Sequence, residues 1–188
     1  MANKVKFGLK NAHYAKIIDT DGVITYATPV PIPGSVALTL SAKGDKSEFY
    51  ADDYSYFNET VNQGYEGDFE IALIPDTFKK DILGYVEDKN GVFFEAIDAK
   101  QSAFALLYEF DGDSNATRRV LYNCSCGRPS AEDKTKEGAI TPSTDKLTLT
   151  ASKALDSSYV KAEVKNITAQ KVQYDAFFTA VYKYVPVV

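Results

Sequence analysis

The chain has no tryptophan, one histidine and two cysteines in 188 residues, and each shortage excludes something. A structural zinc site usually takes four Cys or His ligands. Cys124, Cys126 and His13 make three even if all converge. Redox pairs are spaced C-x-x-C, whereas NCSCGRPS (123–130) holds C-x-C. A catalytic thiol wants a histidine beside it, and only His13 is available. The lack of tryptophan counts against a surface built to stack sugar rings. No apolar run approaches a membrane span, and there is neither a P-loop nor a dinucleotide fingerprint. MANKVKFGLKN lacks the basic start and apolar run of a signal peptide. These absences set the expectation of a protein made and used without export, with reduced thiols and with no catalytic residue, metal or cofactor. The sequons at Asn58, Asn115, Asn123 and Asn166 then carry no meaning.

A further absence is local. Between Ser47 and Phe78 there is no lysine or arginine, while Glu48, Asp52, Asp53, Glu59, Glu66, Asp68, Glu70 and Asp76 all fall inside. Of the 26 acids, eighteen remain outside this window against all 21 basic residues, so the rest of the chain is net basic. The net charge of −5 argues against general affinity for a phosphate backbone. The same window contains SEFYADDYSYFNE. Its Phe49, Tyr50, Tyr54, Tyr56 and Phe57 cannot all be core, and a Tyr-rich polar segment of this kind suits a surface that packs against another protein. The other reading is a wide loop folded back on its own domain. Asp52–Asp53 reads as a solvated acidic loop ahead of a carboxylate pair for acid–base chemistry.

What is present is alternation. VKFGL (5–9) places Val5, Phe7 and Leu9 together; SVALTL (35–40) does so for Val36, Leu38 and Leu40, and FEIALI (69–74) for Phe69, Ile71 and Leu73. SAFALLYEF (102–110) aligns Phe104, Leu106, Tyr108 and Phe110. KLTLTA (146–151) aligns Leu147, Leu149 and Ala151, and YVKAEVK (159–165) sets Val160, Ala162 and Val164 against three charges. In RRVLYNCSC (118–126), Val120, Tyr122, Cys124 and Cys126 share a face, which makes the cysteines small buried residues. These are strands with one wet face, as in an antiparallel sandwich or barrel. Turns are predicted at 20–22 (TDG), 32–34 (IPG), 89–91 (KNG) and 110–115 (FDGDSN). DGDSN begins like a calcium loop, but Ala116 and Tyr122 stand where Gly and Glu are required.

Two stretches read as helix: PDTFKKDILG (75–84), with Phe78, Ile82 and Leu83 on one face and Gly84 at its end, and QYDAFFTAVY (173–182). Residues 127–145 form a long polar loop. The whole of 1–188 reads as one mainly β domain, with 43–65 as an extended loop or hairpin.

The segments KVKFGLKNAHYA, TPVPIPG, EFYADD, NQGYEGDFEIALIPDTFKKDILG, FALLYEFDGD, RRVLYNC with GRPS, and YDAFFTAVY occur in this order. Together they closely resemble the phi-thirteen-type major tail proteins of bacteriophages with long non-contractile tails, over nearly the whole chain. The resemblance implies a tail-tube β-sandwich with a flanking helix, hexameric rings stacked into a hollow tube, and a place in the virion after assembly in the host cytoplasm. It implies as partners further copies of the chain, a tape-measure protein, a tail terminator and distal tail proteins, with DNA passing through unbound and no membrane. Within that frame Phe49, Tyr50, Tyr54, Tyr56 and Phe57 are expected at an assembly interface, and Asp52, Asp53 and Glu59 on the inner wall. The competing class is a β-sandwich binding module, an adhesin or carbohydrate-binding domain. An enzyme comes third, because one histidine and no convergent nucleophile–base pair are on offer.

Overall fold

The computed structural model describes residues 7–110, 112, 115–130, 135 and 142–186. In chain order the elements are β1 (Leu9–Thr20), β2 (Val23–Tyr26), β3 (Val30–Pro31), β4 (Ser35–Lys43), β5 (Lys46–Ala51), β6 (Tyr54–Thr60), β7 (Gly64–Ile71) and α1 (Asp76–Asp81). There follow β8 (Val86–Glu87), β9 (Phe93–Phe94), β10 (Phe104–Phe110), β11 (Arg118–Cys126), β12 (Asp145–Ser152), β13 (Lys161–Val164) and α2 (Lys171–Ala176). The main sheet runs β2-β1-β10-β11-β12-β7-β4, with β13 on β11 and β3 on β1, and every ladder is antiparallel. The fold is mainly β, as the alternation predicts. The sheet curls until β4 packs against β1 with no ladder between them.

The concave face holds the larger core, in which Tyr14, Phe69, Ile71, Phe104, Leu106 and Leu147 meet Phe78 and Ile82 from α1. Tyr14 and Phe104 set their rings edge-on to Phe78, at 5.1 and 5.4 Å, a favoured aromatic geometry. The helix starts at Pro75 and stops where Gly84 takes a φ of 78°, a conformation that costs glycine little. The convex face of β1, β10, β11 and β13 carries a second core, built from Ala15, Leu107, Val120, Val164, Tyr174 and Phe177. Arg118 ties α2 down. Its Nε donates to the buried Glu109 carboxylate at 2.8 Å and its Nη1 donates to the Tyr174 carbonyl at 2.5 Å, while the guanidinium stacks 3.8 Å from the Tyr174 ring.

Several expectations need correction, and the reasons are local. β10 has no wet face, since α2 covers the side left free by the inner core, so Ala105 and Leu107 are as buried as Leu106. On β11, Phe104 pairs with Cys124 but Leu106 with Leu121, so β11 carries an extra residue there. That bulge moves Cys124 and Cys126 onto the face of Leu121 in the inner core, while Val120 and Tyr122 face the outer one. The first strand begins at Leu9, after Gly8 turns left-handed with φ 71°; residues 5 and 6 lie outside the described residues. A register shift between Ser35 and Ala37 turns Val36 outward. β7 ends at Ile71 and leaves Leu73 exposed. The C-terminal helix is shorter and earlier than 173–182; beyond its end the Tyr122 hydroxyl donates to the Tyr182 carbonyl at 2.8 Å and ties that residue to β11 in a non-helical stretch.

The turn at 20–22 forms as read. Thr20 pairs with Val23, and Asp21 and Gly22 both have positive φ, the two-residue type I′ geometry. In the polar loop 127–145, Ser130 bridges to Lys146 and β12 already begins at Asp145; residues 131–134 and 136–141 lie outside the described residues. So do 111, 113 and 114 of the calcium-like stretch, which joins the paired strands β10 and β11.

Candidate functional site

The acidic, aromatic window begins as a continuation of β4 and β7. Their ladder runs to Lys43↔Gly64. It is carried on by Gln63 N–H donating to the Lys43 carbonyl at 2.9 Å and Val61 N–H to that of Asp45 at 3.0 Å. From there β5 and β6 pair from Lys46↔Thr60 to Ala51↔Tyr54. The result is one long two-stranded ribbon whose outer part stands clear of the curled sheet. Six residues of strand at about 3.3 Å each carry it roughly 20 Å outward. Two glycines make the exit feasible: a Cβ on Gly44 would lie 1.8 Å from the Val61 carbonyl oxygen, and one on Gly64 2.0 Å from that of Ala151. At the tip Asp52 and Asp53 take φ of 51° and 62°, again a type I′ turn, which aspartate tolerates better than most residues.

The register gives the hairpin two unlike faces. Phe49 lies opposite Phe57, and Ala51 opposite Tyr54, so these four share one face with the Ser47–Glu59 pair. The other face carries Lys46, Glu48 and Tyr50. Glu48 accepts from both neighbours, with the Tyr50 hydroxyl at 2.7 Å, and these contacts hold its carboxyl below its usual pKa, Lys46 contributing most. Tyr56 is the extra residue of a bulge, its ring 5.9 Å from that of Tyr54. All five aromatics named from the sequence are at least half exposed, from Phe57 at 50% to Tyr56 at 66%. The segment does not fold back on its own domain.

The eight acids of the window divide as well. Glu66 pairs with Lys43, Asp68 with Lys146 and Asp76 with Lys79, and Glu70 accepts from Thr144. Asp52, Asp53 and Glu59 have no ion-pair or hydrogen-bond partner among the described residues. They do not form one cluster: Asp52 and Asp53 sit together at the tip, whereas Glu59 lies near the base on the aromatic face.

The thiols are free and buried. Cys124 leans on the Leu121 carbonyl at 3.7 Å. Burial pushes the Cys126 thiol up to about 11 and Cys124 higher still, which leaves neither as a ready nucleophile. The histidine is across the sheet from them: its ring stacks on Phe178 at 4.5 Å, which packs against the outer core. Among the described residues no three His, Cys, Asp or Glu side chains are grouped to hold a metal ion.

Sequence reading missed one feature. α1 fills one end of the curled sheet, but the opposite end is an open groove of about 480 Å³ whose walls include Leu9, Leu40, Tyr65, Phe110 and Lys161. Leu9, Leu38, Leu40, Tyr65 and Phe110 in it are only partly buried, over buried Tyr108 and Leu121. Lys161 sits 4.7 Å above the Tyr65 ring at the rim, and Arg119 sits 5.0 Å above that of Phe110. These residues come from six strands, so no local signal announces the groove.

No family model matches the chain, and no curated protein matches it.

Proposed function

We propose that this chain is a structural subunit of a bacteriophage tail tube, self-assembling into stacked rings, hexameric by the resemblance, that form a conduit for DNA. The observation that carries the reading is the hairpin β5–β6: an arm with an exposed aromatic face, projecting from a fold whose two cores are built without it. A two-stranded hairpin alone is marginal in water, and a contiguous exposed apolar face is a docking surface. Covering the half or so of each ring that is open would contribute about 1–2 kcal/mol, so three or four rings are enough to anchor a contact. Further copies of the chain are the partner that the ordered motifs suggest, and a protein bearing both an arm and a receiving surface assembles head to tail into rings or filaments.

Within this reading the tape-measure protein, tail terminator and distal tail proteins are the other partners, and the virion is the site of action. The tip acids Asp52 and Asp53 suit a channel wall that repels phosphate, because any basic contact repeated in every ring would hold the DNA. Sedimentation and electron microscopy of concentrated protein test the proposal. Wild-type protein forms rings or tubes, and Tyr54→Ser/Tyr56→Ser/Phe57→Ser remains a folded monomer. A wild-type chain that stays monomeric at every concentration overturns it in favour of a binding module; normal tubes from the triple variant remove the hairpin from assembly.

A further inference from the structure

We propose that the open groove at the end of the curled sheet is the receptor for the hairpin of a second copy of this chain, with Phe49 and Phe57 entering the groove and Glu59 meeting Lys161 at its rim. The inference rests on the self-assembly reading and names the surface that receives the arm.

Three observations select this occupant. The first is complementarity of charge. The hairpin carries Glu48, Asp52, Asp53 and Glu59 against one lysine, Lys46, and Glu48 is already engaged by Lys46 and Tyr50. The groove rim carries Lys161 and Arg119, and of these Arg119 is held by Glu163 at 3.0 Å. Among the described residues the Lys161 ammonium rests on a tyrosine ring and has no acid beside it, and the acid on the aromatic face without a partner among them is Glu59. A charge pair beside an apolar contact fixes register and excludes mismatched approaches.

The second is complementarity of surface. The groove is lined by partly buried Leu9, Leu38 and Leu40, over which no further layer packs among the described residues. The arm offers the opposite defect, rings with no floor beneath them. A volume of about 480 Å³ is of the size that small-molecule sites use to hold several rings.

The third is reach. The hairpin rises from the same end of the sheet as the groove, since Tyr65 of the groove follows Gly64 at the hairpin's base. The backbone hydrogen bonds at Val61 and Gln63 continue the ribbon outward, and folding it over its own groove would break them. The contact therefore forms between copies. Arm and groove are different patches, so the association is heterologous and propagates.

Charge exchange tests the pairing. Glu59→Lys and Lys161→Glu each place like charges at the contact, and each is expected to raise the concentration needed for assembly at least tenfold by analytical ultracentrifugation. The double variant, and equally a 1:1 mixture of the two single variants, restores opposite charges at every contact and should return to within about threefold of wild type. Both positions are exposed, and thermal unfolding midpoints confirm that each variant is folded. Should either fold poorly, Lys161→Met is expected to assemble more weakly than wild type and with less dependence on salt. Lys161→Glu assembling like wild type, or a mixture as monomeric as its components, overturns the groove as receptor while leaving self-assembly standing. Wild-type protein that never associates overturns both.

Discussion

Phe104 begins β10 and Phe49 lies in β5; both are strand phenylalanines paired across an antiparallel ladder. The first is 2% exposed and the second 59%. Around Phe104, α1 closes the concave side and α2 the convex side of the same sheet. Around Phe49 no layer among the described residues closes either side. Local structure is thus the same in the two regions, and the difference lies one level up, in whether the chain supplies a second layer to bury against. A strand that is finished from within contributes stability. One left unfinished contributes nothing to the monomer that alanine or serine would remove, and its energy is available to a partner.

Substitutions that separate stability from association sharpen this contrast. The largest expected effect is Phe104→Ala, which empties a site between α1 and the sheet and should cost about 3–5 kcal/mol in denaturant unfolding. The triple serine variant of the hairpin should change unfolding by no more than ~0.5 kcal/mol and yet remove association. A hairpin variant that lost several kcal/mol would show the two regions to be one cooperative unit.

Next in size is Arg118→Ala, which releases α2 and takes from the buried Glu109 its nearest partner, leaving it only the longer contacts with Lys10 at 3.6 Å and Asn11 at 3.3 Å among the described residues. A loss of about 3 kcal/mol is expected, and Arg118→Lys should recover little, because lysine reproduces neither the fork nor the stacking. Unfolding monitored by tyrosine fluorescence measures both.

A smaller effect concerns alkaline pH. Cys126 keeps its proton up to about 11 in the fold, whereas an unfolded thiol releases it near ~8.5. The folded value is the raised one, so this contribution is complete below about pH 8.5 and fades as pH climbs towards 11. The urea midpoint should fall as pH rises from about 8.5 towards 11, and fall less in Cys124→Ala/Cys126→Ala. Elemental analysis should find no stoichiometric zinc in either protein. The smallest effect expected is on DNA: a gel shift at moderate salt should show none, and a band that appears at low salt and fades with added salt would place basic residues on the channel wall.

The contrast also explains what the sequence made legible. Leu147, Leu149 and Ala151 alternate cleanly because β12 has one covered face, and α1 announces itself through Pro75, Phe78 and Gly84. β1 did not, although it is the longest strand: it is buried partly on both sides, and the left-handed Asn11 breaks its register. Alternation puts the cysteines in the core but on the face of Val120, whereas they share that of Leu121, since a bulge is decided by the partner strand and not by the residues that carry it. For the candidate site the balance is similar. The excess of rings and acids between 47 and 60 is visible in one dimension, but which of its acids find a partner is not: Glu66, Asp68 and Asp76 pair with lysines brought up by the fold, and Asp52, Asp53 and Glu59 do not among the described residues. That Glu59 stands apart from the other two, and that Tyr50 faces away from Phe49, depends on pairing that only the folded ladder reveals.

The continuity of the hairpin with β4 and β7 has a mechanical consequence. A load applied at the Asp52–Asp53 tip travels along the ribbon into strands that are held sideways by hydrogen bonds lying across the line of pull. β7 is laced to β12 from Tyr65↔Ala151 to Ile71↔Asp145, so those bonds resist in shear, all together, and do not unzip one after another. An arm rooted in this way can bear tension between neighbouring bodies without peeling the strand that anchors it out of the sheet.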